Sequence, residues 1–380
     1  MTRTLVVTND FPPRQGGIET FVHAMTSRFP DDSVIVYTSS EPGGAAYDAS
    51  LPYPVIRDRA RMLLPTPYAT GRAVDLARRY GCDRVWFGAA APLALMAERL
   101  RREAGVRRIV ATTHGHEVWW ARVPGTRALL RRIGAVTDTV THLGEATRIP
   151  VATALGPVAA RRMVRLVPGV DAEAFRSRSG ASAVRRRYGL AGRPVILCAA
   201  RLVARKGQDT LVRALPAVRR AVPGATLLLV GDGPHAATLR RTAAAAGLGD
   251  AVVLAGGHPH ATMPGFYAAA DVFAMPCRTR RHGLEMEGLG IVFLEAAAAG
   301  LPVLAGDSGG AADTVRDGVT GHVVDGRDVP AVAARLIGLL RDRDAAAAMG
   351  RAGREWVRTE WGWDATYERL AGLLAGRAQR

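Results

Sequence analysis

Lysine is almost missing from this chain: of its 51 basic residues, Lys206 alone is lysine and the rest are arginine. Cysteine is scarce too. Cys82, Cys198 and Cys277 are isolated, with no CxxC spacing, which argues for a reducing compartment and against a structural zinc site. Aromatic residues make up 6% of the chain, too few for stacking platforms under nucleic-acid bases. No apolar run approaches the roughly 20 residues that cross a bilayer. The N-terminus passes from MTRT straight into a strand-like LVVT, so no signal peptide is expected. A GxxxxGK[ST] loop is also absent, which counts against an NTPase.

What is present describes a folded protein of two domains. The length, 380 residues, suits two domains of somewhat under ~200 residues each. With 48% hydrophobic and 22% charged residues there is no signature of disorder. The net charge of +17 is spread as +9 over residues 1–170 and +8 over residues 171–380. No basic arm stands out, so no nucleic-acid partner is expected. Anionic small molecules or an anionic membrane surface fit better.

Strand-like and helix-like segments alternate through both halves. LVVT, VIVYT, RVWFG, RIVATT and TDTVTHL read as strands of the first half, and HGHEVWWARVPG reads as a long loop. PVILCAA, TLLLVG, VVLAG, VFAMP, PVLA and GHVV read as strands of the second. Apolar strands separated by helices imply parallel sheets covered on both faces, so the expected class is α/β with two doubly wound domains. Such domains bind ligands at the C-terminal ends of their strands. An amphipathic tail, Trp363 to Leu374, is left over.

The densest candidate site is EGLGIVFLEAAAAGLPVLAGDSGG. Glu287 lies before a Gly288-Leu289-Gly290 turn, and Glu295 falls on the second turn of the helix that Ile291 opens. Free amides at such a helix N-terminus attract anions. Gly16 and Gly17 open the first helix after the first strand, where glycine admits either a phosphate or an ordinary loop. Arg201 and Lys206 follow the first strand of the second half and could clamp one diphosphate, as a fork and a point charge. Lys206 is either a chance survivor or a position that needs a compact ammonium. Gly231 sits in a strand-to-helix VGDGP turn, a weak nucleotide signal.

His114 and His116 fall where the 108–113 strand ends, beside Trp119 and Trp120, which could pack in a core or face a sugar or lipid. His258 and His260 have no carboxylate or cysteine close by and read as loop decoration. Asp342-Arg343-Asp344 imitates a DxD metal motif but reads as a helix N-cap.

Taken together, GGIE, THGHE, RLVARKGQDTL, VGDGP and the paired glutamates resemble the retaining glycosyltransferases of family 4, over essentially the whole chain. NDFPPRQGGIET, VWFGAAAPLAL, THGHEVWW, FAMPCRTR and EGLGIVFLEA look most like the actinobacterial GDP-mannose-dependent phosphatidylinositol mannoside mannosyltransferases. The resemblance implies a GT-B fold of two Rossmann-like domains facing across a cleft. Residues 1–168 would bind acceptor, residues 169–362 would bind nucleotide sugar, and a helix within 363–380 would pack back on the first domain. It implies GDP-mannose as donor, an inositol phospholipid as acceptor, no metal or cofactor, and a peripheral place on the inner face of the cell membrane.

Carried over by position, Gly16 and Gly17 would meet the diphosphate, Arg201 and Lys206 would neutralise it, and Glu295 would hold the ribose. Glu287 would contact the sugar, with the amides of Gly288, Leu289, Gly290 and Ile291 completing the cradle and Gly231 nearby. His114 would stand by the anomeric centre, with His116 as the second choice, and Trp119 and Trp120 would line the acceptor side. Trp119 and the RRHGLE segment depart from the family pattern. Two alternatives stand beside this reading. One is another donor and acceptor, such as UDP-GlcNAc onto inositol phosphate. The other is an inactive nucleotide-sugar binder, against which the intact Arg201, Lys206, Glu287 and Glu295 set argues.

Overall fold

The computed structural model describes residues 2–14 and 16–377, and the chain forms two compact units. One unit reaches Gly169 and takes back the segment that begins at Trp363; the other spans Val170–Gly362. Met1, Gln15 and residues 378–380, which the expected domain ranges include, lie outside the described residues.

The first unit is built on a parallel sheet of β1 (Arg3–Thr8), β2 (Val34–Thr38), β3 (Val55–Arg57), β4 (Cys82–Phe87), β5 (Arg108–Thr112), β6 (Thr139–His142) and β7 (Val164–Arg165). Its order is β3-β2-β1-β4-β5-β6-β7, and all neighbours are parallel. Leu5, Val6 and Val7 are fully buried, as strands covered on both faces require. Helix Pro67–Arg79 starts where Thr66 accepts a hydrogen bond from the Ala69 amide, with proline in the first turn. Helix Trp363–Leu374 belongs to this unit. Its Leu370, Leu373 and Leu374 join the core around Phe21, Val22 and Trp86, and Thr366 donates to the Val167 carbonyl at 3.0 Å.

The second unit has β8 (Val195–Ala199), β9 (Thr226–Val230), β10 (Val252–Gly256), β11 (Val272–Met275), β12 (Val303–Gly306) and β13 (Gly321–Val324). The order is β10-β9-β8-β11-β12-β13, again wholly parallel. In each sheet the order reverses once, between β1 and β4 and between β8 and β11. A crevice opens at such switch points at the carboxyl ends of the strands. The segments after β1, β8 and β11 carry Gly16, Arg201, Lys206, Glu287 and the turn at 288–290, while His114 and His116 follow β5 and Gly231 follows β9.

Three expectations need correction. The stretch from His114 to Gly125 is not one long loop, because Glu117–Arg122 is a helix. Glu117 folds back to accept the amides of His114 and Gly115 at 3.0 and 3.2 Å, which starts that helix. Short helices Gly44–Asp48 and Ala181–Arg187 were also unforeseen. Val164–Arg165, which is not among the strand-like segments of the sequence, is the edge strand β7. Asp342 is an N-cap as expected, accepting from the Ala345 amide at 2.9 Å.

Candidate functional site

In the second unit, Lys206 ends a short 3₁₀ turn after β8, and Glu287 lies in the loop after β11. The switch point brings them together: Lys206 Nζ stands 2.7 Å from Glu287 Oε2, with only 12% and 8% of the side chains exposed. The contact is an ion pair between two nearly buried side chains. Glu287 is fixed through its backbone, its amide donating to Ser308 Oγ at 3.2 Å and its carbonyl accepting from Gly310 at 3.0 Å. From the sequence, these two residues are expected to make separate contacts to a ligand. The structure makes them one buried pair. Arg201 is exposed and, among the described residues, makes no side-chain hydrogen bond or ion pair.

Gly288, Leu289 and Gly290 form the turn before helix Ile291–Ala298. Gly290 has a φ of 83°, and a Cβ there would meet the Phe293 ring at 2.7 Å, so only glycine suits it. Among the described residues, the amides of 288–291 have no acceptor, leaving a row of donors at the helix start. Gly231 follows β9, where its amide donates to the Gly256 carbonyl at 2.8 Å.

Glu295, 5% exposed, accepts from the Tyr267 hydroxyl at 2.7 Å through Oε2. Its Oε1 stands 2.9 Å from His260 Nε2. The expectation that His260 has no carboxylate near it is therefore wrong. The partner lies 35 residues on, and only the fold brings it close. That hydrogen bond pulls the His260 pKa up against the opposing effect of burial.

In the first unit, Gly16 precedes and Gly17 opens helix Gly17–Thr26. Nothing lies within 4 Å of a Cβ placed on Gly17, so the fold itself does not demand glycine there. His114 Nε2 is 2.6 Å from the Gly88 carbonyl after β4. A carbonyl only accepts, so Nε2 carries the proton and Nδ1 is the ring's acceptor. Burial pushes the His114 pKa down, opposed mainly by Glu117, and the imidazole is neutral at neutral pH.

His116 is 43% exposed and stands 3.3 Å from Glu117 Oε1. Glu117, a wholly buried carboxylate beside two histidines, holds their turn and is not among the residues expected from the sequence. Trp119 is 45% exposed and meets the half-buried Trp120 edge to face, ring centroids 6.3 Å apart. Burial pushes all three cysteine thiols up to about 12, which makes them unreactive.

Residues 15–174 match the family model described as Glycosyltransferase Family 4, and residues 182–356 match Glycosyl transferases group 1. A GDP-mannose-dependent alpha-(1-6)-phosphatidylinositol monomannoside mannosyltransferase of Mycobacterium tuberculosis is 49% identical over 383 residues, covering 99% of each chain. Its namesake in Mycolicibacterium smegmatis is 50% identical over 380 residues, again covering 99% of each.

The chain belongs to glycosyltransferase family 4.

A crystal structure of Anabaena Alr3699/HepE in complex with UDP is 21% identical and superposes with a TM-score of 0.82, covering 99% of this chain and 100% of that one. This likeness bears on the fold, and the two parallel-sheet units are the GT-B pair that the motifs implied. Among the described residues of this family 4 enzyme, no group of three or more His, Cys, Asp or Glu could hold a metal ion. None of its described helices is long and apolar enough to cross a membrane.

Proposed function

We propose that this glycosyltransferase moves mannose from GDP-mannose to a phosphatidylinositol mannoside acceptor, with retention, at the inner face of the cell membrane. The observation that carries the reading is identity of 49–50% along the full length to enzymes named for that reaction. In this reading the first unit takes the acceptor and the second the nucleotide sugar.

Breaking the sugar–phosphate bond leaves positive charge on the sugar and a diphosphate anion, and fixed charges at those positions lower the barrier. Arg201, exposed and unengaged, is free to offer its fork to the diphosphate. Lys206 would meet the same anion as a point charge while Glu287, paired with it, would face the sugar. The amides of Gly288, Leu289, Gly290 and Ile291 complete the cradle beside Gly231. Glu295 would hold the ribose, and Gly16 and Gly17 would admit the diphosphate to backbone range.

His114, neutral and with Nδ1 as its acceptor, would take a hydrogen bond from a hydroxyl next to the anomeric centre. His116, Trp119 and Trp120 would border the acceptor. Attack and departure occur on one face, and the paired-carboxylate scheme of retaining glycosidases is not assigned to Glu287 and Glu295. The reading needs no metal.

Radiolabelled sugar transfer from a panel of nucleotide sugars, with phosphatidylinositol mannoside and inositol phosphate as acceptors, tests this. Labelled lipid from GDP-mannose is the expected result. Product only from UDP-GlcNAc and inositol phosphate would replace donor and acceptor together, and donor binding without transfer or hydrolysis would make the chain a binder.

A further inference from the structure

Glu295 is a buried carboxylate, and such a group is kept charged and oriented only by what bonds to it. Its two oxygens are held by groups of different kinds. Tyr267, on Oε2, is fully buried and wedged between the rings of Phe175 and Phe273 at 5.3 and 5.7 Å. His260, on Oε1, has 59% of its side chain exposed and leans edge-on against Phe175 at 5.8 Å. One oxygen is therefore fixed by the core and the other by a surface imidazole.

We propose that His260 is a positioning residue for donor binding, setting the orientation of Glu295 for the ribose hydroxyls; this rests on the ribose role given to Glu295 above. Each carboxylate oxygen has a second lone pair, so Glu295 can accept from Tyr267 and His260 and still receive two hydroxyls. Without His260 the carboxylate pivots about its bond to Tyr267, and the hydroxyls lose one aligned acceptor.

The surroundings make this hold sensitive to pH. Helix Met263–Ala268 presents the Tyr267 hydroxyl to Glu295, helix Ile291–Ala298 presents Glu295, and helix Ala172–Arg176 offers the uncharged Phe175 ring. His258 turns elsewhere, to the Tyr188 hydroxyl at 3.0 Å and the Phe266 ring at 4.6 Å. Glu295 is thus the charge that His260 meets, and its attraction raises the imidazole pKa. The ion pair is complete at lower pH and weakens as pH rises through that value.

The test compares wild type, His260→Ala and His260→Gln by calorimetric GDP binding and by donor KM and kcat, from pH 6 to 9. Expected for His260→Ala is a rise of about 3- to 10-fold in GDP Kd and donor KM, with kcat within about twofold. His260→Gln, whose amide still donates to Oε1, should recover most of the affinity and lose the pH slope. In the NMR titration, His260 should move to lower pKa in Glu295→Gln.

Unchanged GDP Kd in His260→Ala at pH 6, or a fall in kcat at constant KM, overturns the proposal. A wild-type protein that binds no GDP overturns the ribose role together with the donor reading. The NMR arm still decides by itself whether His260 holds Glu295, and an unmoved titration in Glu295→Gln refutes that hold.

Discussion

The two units hold their candidate residues by different means. In the second, side chain meets side chain: Lys206 on Glu287, and His260 and Tyr267 on Glu295. In the first, the buried side chains meet backbone, His114 on the Gly88 carbonyl and Glu117 on the amides of its own turn, and the exposed His116 reaches the Glu117 side chain at 3.3 Å. Their surfaces differ as well. Among the described residues, seven of nine exposed large apolar side chains lie in the first unit, Trp119 included, and only Leu284 and Val319 in the second. Charged pairs are costly to break because one partner is left buried and alone. A backbone-held histidine can be removed without stranding a charge.

The sharpest attempt to break this contrast is Lys206→Ala. Stranding Glu287 should cost about 2–5 kcal/mol in donor or transition-state binding, with a parallel loss of about 3–5 kcal/mol in stability. Adding Glu287→Gln should return much of the stability but not the activity. A double-mutant cycle gives the coupling directly. Coupling under about 0.5 kcal/mol in both measurements would mean that the pair is an accident of packing.

His114→Ala should cost less in the fold and still much in the reaction. We expect kcat to fall about 100-fold, while stability drops by about 1 kcal/mol for the lost bond to Gly88. A variant with wild-type kcat would remove His114 from the anomeric centre.

The two histidines also give opposite signs with pH. Burial depresses the His114 pKa, so the unfolded chain binds the proton more readily. Its contribution to stability is whole above the ordinary value of ~6.5 and is lost as pH falls toward the folded value. The His260 pKa is raised; its contribution is whole below ~6.5 and is lost as pH climbs through the folded value. Melting temperatures of His114→Gln and His260→Gln, each taken as a difference from wild type, should therefore slope oppositely between pH 5 and 9. Parallel slopes would show that one of the two environments is misassigned.

What the sequence made legible follows the same division. Parallel strands buried on both faces are continuous apolar runs, so most were placed within a residue or two, and the amphipathic tail was found at Trp363–Leu374. Glu117–Arg122 was missed because six residues with two tryptophans carry no helical period, and a side-chain bond to backbone begins the helix. Lys206, Glu287 and Glu295 were each noticed by residue type or spacing. That Lys206 pairs with Glu287, and His260 with Glu295, was not legible. The first contact depends on β8 adjoining β11 and the second on how the segment after β10 packs against helix Ile291–Ala298, and no periodicity records either.

Trp119 tests the surface half of the comparison. If the first unit's apolar side chains meet lipid, Trp119→Ala should weaken binding to anionic phospholipid vesicles about 10-fold, or ~1.4 kcal/mol, just under the ~1.5–3 kcal/mol of fully burying a large apolar side chain. Raising salt should weaken wild type further, because the basic surface contributes through screened charge. Replacing Leu284 in the second unit by serine serves as the control and should change little. Equal losses from both units, or no binding at low salt, would end the assignment of the membrane face to the first.

The smallest expected effect concerns a motif that resembles chemistry. Asp342 and Asp344 have the spacing of a metal-binding pair, but Asp342 is already engaged as the cap of helix Arg343–Glu360. Asp342→Ala should cost about 1 kcal/mol of stability, and kcat/KM should stay within twofold of wild type, with or without a chelator. Thr66→Ala, which removes the corresponding cap in the first unit, should match it in size. If Asp342→Ala instead lowers kcat/KM tenfold and a chelator does the same to wild type, the cap explanation fails. The pair would then have to be weighed as a ligand set, and a charge-neutralising role resting on Arg201 and Lys206 alone would have to be given up.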